Sequence, residues 1–468
     1  MNFNRDLLVN LQVLTKVHSL NIEYMKKTTR RQFIKQAGVS GLALSIGAKG
    51  FSAKSYANII GANERINMAV MGTNGRGAGM ARNFQRLDNV NMMFVCDVED
   101  NALNKGIKAV KDVGGDPIAE KDIRRVLENK DLDGLLVTAP DHWHAPATIM
   151  ACQAGKHVYV EKPCSHSPRE GELMIEAARK YKRIVQVGAQ RRSWSLLMQG
   201  IKELHYGVIG DVYFAKGWYT NNRKSIGFGK KVAVPLNLDF ELWQGPAPRE
   251  AYRDNLVHYN WHWFWNWGTG EALNNGTHEI DVIRWGLGVD FPTKVSSEGG
   301  RFAFNDDWET PDTQLINLQF GNKCLVTWEG RSCNSKNSEG RDRGVIFYGT
   351  EGSLETGHNG YRIYDQKNNL IKEVDSKEII DGRDTSSPSV NLDRVHIEDF
   401  LNSVKNNRTP NADIAELHKS TSLVQLGNIA WRVGRSLTTD PLNGHILNDP
   451  VAQELWSRKY EPGWELTV

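Results

Sequence analysis

The run Ile66-Asn67-Met68-Ala69-Val70-Met71-Gly72-Thr73-Asn74-Gly75-Arg76-Gly77 passes from apolar to glycine-rich in one step. Its first half reads as a short buried strand, and a helical stretch follows from about Ala78. Strand, glycine turn and helix in that order are the context a phosphate-binding fingerprint requires. Gly72 permits the tight turn, and Gly77 permits close packing of helix on strand. The helix N-terminus then offers unpaired N–H groups to a pyrophosphate. The middle glycine of the fingerprint is Asn74 here, with Gly75 beside it, so Asn74, Gly75 and Arg76 join the two outer glycines as candidate contacts. An ordinary strand-to-helix turn would show much the same pattern, and the next element separates the two.

Asn91-Met92-Met93-Phe94-Val95-Cys96 is a second strand, and it ends in Asp97, 20 residues after Gly77. An acid there accepts hydrogen bonds from ribose hydroxyls and repels a 2′-phosphate, which points to NAD ahead of NADP. Asp97 is also placed to cap the following helix, and the two roles are compatible. Further strands end at Ala139-Pro140-Asp141-His142-Trp143-His144, at Glu161-Lys162-Pro163 and at Ala189-Gln190-Arg191-Arg192. Strands alternating with helices predict a parallel, doubly wound sheet over 64–190. Ligands bind at the carboxyl ends of such strands. Pro140, Asp141, His144, Glu161, Lys162 and Gln190 therefore join Asp97 as cofactor candidates.

After Arg192 the pattern changes. Val212–Tyr219, Gln314–Phe320, Cys324–Glu329, Gly344–Gly349 and Tyr361–Asp365 read as strands separated by turns. They predict a largely antiparallel, open-faced sheet in an α+β domain over 191–435. Between them lies His258-Tyr259-Asn260-Trp261-His262-Trp263-Phe264-Trp265-Asn266-Trp267. Aromatic faces stack on the apolar C–H faces of pyranoses, and neighbouring polar groups read hydroxyls, which suggests a carbohydrate substrate; core packing is the competing use. Trp143, Arg191, Trp194, His262 and Trp265 are the candidate substrate contacts. His258 and His262 stand i, i+4, but no third ligand has metal-site spacing. Two helices span Arg394–Arg435, with an apolar face suited to packing on the first domain. The tail over 436–468, with Pro441, Pro450 and Pro462, has no periodic pattern.

The 468 residues suit two domains. With 58 basic against 55 acidic residues, the net charge of +3 gives no reason to expect a nucleic-acid partner. Five cysteines without C-x-x-C spacing argue against a disulfide framework or a zinc site, although Cys324 and Cys333 are spaced to pair across a hairpin. Residues 25–57 read as a twin-arginine signal peptide. Thr29-Arg30-Arg31-Gln32-Phe33 follows Lys26 and Lys27, and a weakly apolar stretch leads to Ser55-Tyr56-Ala57. Residues 1–24 look unlike a signal n-region, and the expected native start is Met25. The expected partner is the twin-arginine translocase, which carries folded proteins, and the expected destination is the periplasm with no membrane anchor.

The combination of the glycine turn, Pro140-Asp141-His142-Trp143-His144, Glu161-Lys162-Pro163 and Gly268-Thr269-Gly270 through His278 to Asp281 closely resembles the Gfo/Idh/MocA oxidoreductase family. The resemblance covers 64 to about 435. It implies a Rossmann domain with an open-faced sheet domain, often oligomeric through that sheet. It places Lys162 beside the nicotinamide and the reacting carbinol, where an ammonium polarises the hydroxyl. It also implies a general base at His278, four residues after an acid. Here that acid is replaced by Asn274, and an amide orients a hydroxyl or an imidazole but cannot take a proton. Lys162, His278 and Asn274 are the catalytic candidates. Export without a supply of free NAD(H) implies a tightly bound, recycled cofactor. The first expectation is an NAD(P)-dependent oxidoreductase acting on a CH–OH group of a sugar, cyclitol or glycoside. A redox-assisted glycosidase is the second, and a non-catalytic sugar-binding protein the third.

Overall fold

The computed structural model describes residues 65–357, 360–375 and 392–468. The signal-peptide reading at 25–57 and the upstream stretch 1–24 lie outside the described residues.

The first domain alternates strands and helices: β1 (Ile66–Met71), α1 (Arg76–Gln85), β2 (Val90–Cys96), α2 (Asp100–Lys111), β3 (Ile118–Glu120), α3 (Ile123–Leu127), β4 (Gly134–Val137), α4 (Asp141–Gln153), β5 (His157–Val160), α5 (Pro168–Lys180) and β6 (Val185–Val187). The strands pair in parallel in the order β3-β2-β1-β4-β5-β6, so the chain switches direction between β1 and β4. That point opens a crevice at the carboxyl edge. Every residue of β4 is buried, as expected for a central strand covered on both faces.

The second domain contributes α6 (Ser195–His205), β7 (Val212–Thr220), α7 (Phe240–Gln244), α8 (Thr277–Leu287) and the strands β8 (Lys294–Gly300), β9 (Thr313–Phe320), β10 (Cys324–Arg331), β11 (Arg343–Gly349), β12 (Gly352–Thr356), β13 (Gly360–Asp365) and β14 (Leu370–Asp375). Helices α9 (Leu392–Asn406) and α10 (Ile414–Val433) follow, then β15 (Leu437–Thr438) and α11 (Pro450–Glu454). The nine strands run β14-β13-β12-β11-β7-β10-β9-β8-β15, antiparallel throughout except for the parallel β7–β10 pair. One face carries α8, whose Ile280 and Ile283 pack with Val326 and Val345.

Helix α9 crosses back to the first domain. Its Ile397 and Phe400 complete a core with Met68, Val70, Leu136 and Tyr159. Phe400 is fully buried, and its truncation to alanine costs about 3–5 kcal/mol on the usual scale for buried aromatics. The tail lacks a periodic pattern, yet it acts as a strap. Trp464 meets Trp143 edge-on at 5.3 Å, Gln153 donates to the Thr467 carbonyl at 2.7 Å, and Tyr460 donates to Glu170 at 3.0 Å. Its contacts are single side chains and main-chain groups, which leave no periodic signal. Cys324 and Cys333 are free thiols. Among the described residues, no helix is long and apolar enough to cross a membrane, and no acid, histidine and cysteine side chains gather into a metal site.

Candidate active site

A cavity of about 310 Å³ follows the carboxyl edge of the parallel sheet from Asp97 at the end of β2 to Lys162 at the end of β5. Gly72 turns with φ +86°, and a Cβ there would lie 2.7 Å from the Ala139 backbone. A Cβ on Gly77 would lie 1.8 Å from the Gly72 carbonyl oxygen. Both positions thus need glycine for the close approach of turn, strand and helix. Gly75 caps α1 without a side-chain bond, so the first N–H groups of that helix are not capped by a side chain. Asp97 accepts from the Thr73 N–H at 2.6 Å and the Glu99 N–H at 3.0 Å. Burial raises its carboxyl above the usual range, against those bonds.

Two of the catalytic candidates, Lys162 and Asn274, meet across the two domains. Lys162 donates from Nζ to the Asn274 carbonyl at 2.5 Å and approaches Asn274 Oδ1 at 3.2 Å. Burial pushes the Lys162 ammonium below the ordinary lysine range, with Glu161 opposing. Asn274 lies in a π-helical turn, Ala272–Gly276, that leads into α8. Such widened turns recur at functional sites. Buried Glu271 fixes this turn. It accepts from Asn275 at 2.5 Å and Asn274 at 3.4 Å, and pairs with Arg223. Asp141, at the start of α4, is buried and accepts from the Thr269 hydroxyl at 2.5 Å.

The cofactor candidates line this cavity except Gly77, which packs behind the turn, and Gln190. Gln190 is buried behind Arg76, and its amide satisfies both neighbours when it donates to the Gly188 carbonyl at 2.7 Å and accepts from Arg76 at 2.6 Å. Arg76 also grips Asp393 of α9 with two bonds of 2.8 and 2.7 Å and Glu161 at 3.0 Å. This arginine therefore fastens the glycine turn to both domains.

The substrate candidates divide. Trp143 and His262 line the cavity, though the Trp143 indole N–H is used on the Trp243 carbonyl at 3.0 Å. Arg191 stands outside the cavity wall, 3.4 Å from Glu279, and Trp194 packs into the core under the second sheet. Trp265 lies in a separate cavity. His278 is buried and does not line the cavity, and its Nε2 is unbonded; burial first, then Lys162 and Arg343, hold it well below the usual histidine range. The aromatic run likewise splits its duties: Tyr259 and Trp261 face the cavity, while Trp263 stacks on Trp308 at 3.9 Å in the interior.

Sequence reasoning missed Glu271, Arg223 and Arg343. Arg343 reaches Glu279 at 2.7 Å and lies over Tyr219. Glu271 falls inside the Gly268–Asp281 segment, where an acid three residues before Asn274 was a usable signal. Arg343 had none, because only the strand pairing of β11 with β7 brings it there.

Comparison with known proteins agrees with this architecture. The family described as "Oxidoreductase family, NAD-binding Rossmann fold" matches residues 66–189, and "Oxidoreductase family, C-terminal alpha/beta domain" matches 217–466. A glycosyl hydrolase family 109 protein of Saccharopolyspora erythraea is 30% identical over 239 residues, covering 46% of this chain and 51% of that protein. The chain thus spans about half the length of the curated relative it matches there. Among solved structures, myo-inositol 2-dehydrogenase from Lactobacillus plantarum has a TM-score of 0.58 at 17% identity, covering 80% of this chain and 100% of that one. The aldose-aldose oxidoreductase from Caulobacter crescentus complexed with glycerol has a TM-score of 0.60 at 16% identity, covering 80% and 99%. With both domains matched in order and the glycine turn and Glu161-Lys162-Pro163 at one crevice, the chain belongs to the Gfo/Idh/MocA oxidoreductase family.

Proposed function

We propose that the protein oxidises or reduces a CH–OH group of a sugar, cyclitol or glycoside with a tightly held NAD, NADP being the less favoured cofactor. The observation that carries this is the half-buried Lys162 Nζ, which sits at the end of β5 in the same cavity as the Gly72 turn and touches Asn274 across the domains. The crevice fits a dinucleotide in that Gly72 and Gly77 pack the turn tightly against Ala139 and Thr138 and leave the start of α1 at the cavity. The uncapped start of α1 and Asp97 would hold its pyrophosphate and ribose. When bound there, the nicotinamide supplies a two-electron acceptor.

The protein's part is proton handling and orientation. Burial favours the neutral amine of Lys162, which is then able to take a hydroxyl proton. Asn274, held by Glu271, orients that hydroxyl and takes no proton. His278, kept neutral by burial, supports the site from behind and is not in the cavity wall. Arg343 and Glu279 form an ion pair beside it. Replacement of Lys162 with Met, with dinucleotide retention and turnover measured together, tests the assignment: turnover is lost and the cofactor is retained.

The second reading is a glycosidase in which transient oxidation acidifies a neighbouring C–H, the aglycone leaves, water adds and the ketone is reduced again. The similarity to a glycosyl hydrolase family 109 protein favours it. Release of aglycone from aryl glycosides without net change in cofactor redox state distinguishes it. Folded export by the twin-arginine route to the periplasm belongs to the same proposal, as does assembly through the open sheet face; the first follows from Thr29–Phe33 and is tested by fractionation with Arg30 and Arg31 both changed to Lys.

A further inference from the structure

A second cavity, of about 470 Å³, lies apart from the dinucleotide crevice. Its walls come from the loop after Glu161-Lys162-Pro163, from the aromatic run, from one face of α10 and from the C-terminal strap. Helix α10 contributes Gln425, Asn428, Ile429 and Arg432, residues that share one face by their spacing. The volume falls within the roughly 300–1,000 Å³ of small-molecule sites and is far above the ~30 Å³ share of a single water.

The polar groups of this cavity are unevenly satisfied. His166 Nε2 is buried and has no hydrogen-bond partner. Gln425 spends its amide N–H on the Ser165 carbonyl at 3.0 Å, and its Oε1 has no partner. Arg458 donates from Nη2 to the Asn266 carbonyl at 3.1 Å, faces the Glu170 carboxylate from Nε at 3.9 Å, and leaves Nη1 without a hydrogen bond. Buried polar groups ordinarily find partners, and leaving one unpaired is unfavourable. Three side chains of one wall therefore each carry a polar atom that the protein itself leaves unsatisfied.

The chemistry of the wall narrows the class. Arg458 only donates and Gln425 Oε1 only accepts, and a hydroxyl answers either. Glu250, Glu309 and Glu454 stand against Arg432, Arg458 and Lys459, which leaves no net sign to select an ion. Trp265, Leu273, Ile429 and Leu455 give apolar surface for C–H faces. We propose that this second cavity binds a neutral, hydroxyl-rich molecule, a saccharide or polyol of up to disaccharide size. The site does not depend on the redox reading, although it is physically joined to the first. His166 and Lys162 share one loop, and Thr269 lines this cavity while donating to Asp141 in the other.

The test is calorimetric titration of the full chain with maltose, cellobiose and lactose as probes. Ser457 is exposed at the mouth, so Ser457→Trp plugs the cavity without disturbing the core. Gln425→Leu removes the orphaned acceptor at nearly constant volume. The site predicts that at least one probe binds, that affinity falls about tenfold or more in both variants, and that the component lost in Ser457→Trp persists in Lys162→Met. Ser457→Trp should melt at the wild-type temperature and keep its dinucleotide. No binding by any of the three probes at millimolar concentration, or binding unchanged by both variants, overturns the proposal and leaves the cavity to ordered water.

Discussion

Lys162 and Asn274, one at the end of a parallel strand and the other in a π-helical turn of the second domain, are joined by a 2.5 Å hydrogen bond from Nζ to the backbone carbonyl. The bond links the two domains at the crevice, and desolvation of the lysine there sets its protonation chemistry. A lysine that is desolvated and faces an amide keeps no full counter-charge at contact. Its proton is therefore released more readily than that of a free lysine at about 10.4.

Oxidation of a carbinol should accordingly rise with pH along a limb whose midpoint lies below the ordinary lysine value. Asn274→Asp places a carboxylate at the same contact, raises the Lys162 pKa and moves that limb to higher pH. Lys162→Met should lower kcat about a hundredfold or more, in the range expected for loss of a general acid–base group, without releasing the cofactor. Steady-state pH profiles of the three proteins check this.

Gly77→Ala sets a Cβ 1.8 Å from the Gly72 carbonyl oxygen and 2.4 Å from Thr138 Oγ1. Neither the turn nor β4 can yield far, so the variant should lose about 1–3 kcal/mol of stability, the usual cost of overpacking, together with its dinucleotide. Gly75→Ala, where a Cβ meets open space, is the control and should keep both. Thermal melting and cofactor content report the difference.

Asp97→Ala removes the carboxylate that holds the Thr73 and Glu99 N–H groups at the end of β2. Dinucleotide affinity should fall about tenfold or more, at 1.4 kcal/mol per decade, and discrimination against NADP should relax. Competitive binding of NAD and NADP measures both.

Burial drives the His142 ring down to about 3, and the ring faces the Trp243 carbonyl at 2.9 Å and the Trp267 carbonyl at 3.3 Å. Between about pH 3 and the unperturbed value near 6.5, the unfolded chain binds a proton there that the folded chain refuses. Stability from this residue is full above that upper value and is lost as pH falls, by about 1.4 kcal/mol per pH unit. His142→Gln should flatten the acid limb of the melting curve relative to wild type, as followed by circular dichroism.

Much of the first domain was legible because each parallel strand is a short apolar run that ends in a polar turn, and those turns hold the site. In the second domain, β9 and β10 alternate clearly and were visible. Strand β8, Lys294-Val-Ser-Ser-Glu-Gly-Gly, carries two glycines and little apolar weight, and only its pairing with β9 makes it a strand. Strand β14 is a largely exposed edge with no inward pattern. The candidate site shows the same division. Lys162, Asp97 and the glycine turn sit at positions that motif spacing identifies, whereas Glu271 and Arg343 act through contacts made only in three dimensions. Trp194 and Trp265 illustrate the converse, since an aromatic beside a motif carries no sign of which side of the wall it will occupy.

The most direct test of the account is the cofactor itself. The chain is purified without added nucleotide and denatured, and any released dinucleotide is identified by mass spectrometry. The native protein is then mixed with sugars, cyclitols and aryl glycosides while the near-ultraviolet absorbance of reduced nicotinamide is followed. Bound NAD that is reduced by a polyol in the wild type and not in Lys162→Met is the predicted result. A chain that carries no dinucleotide, binds none when it is supplied, and shows no absorbance change with any substrate would contradict it.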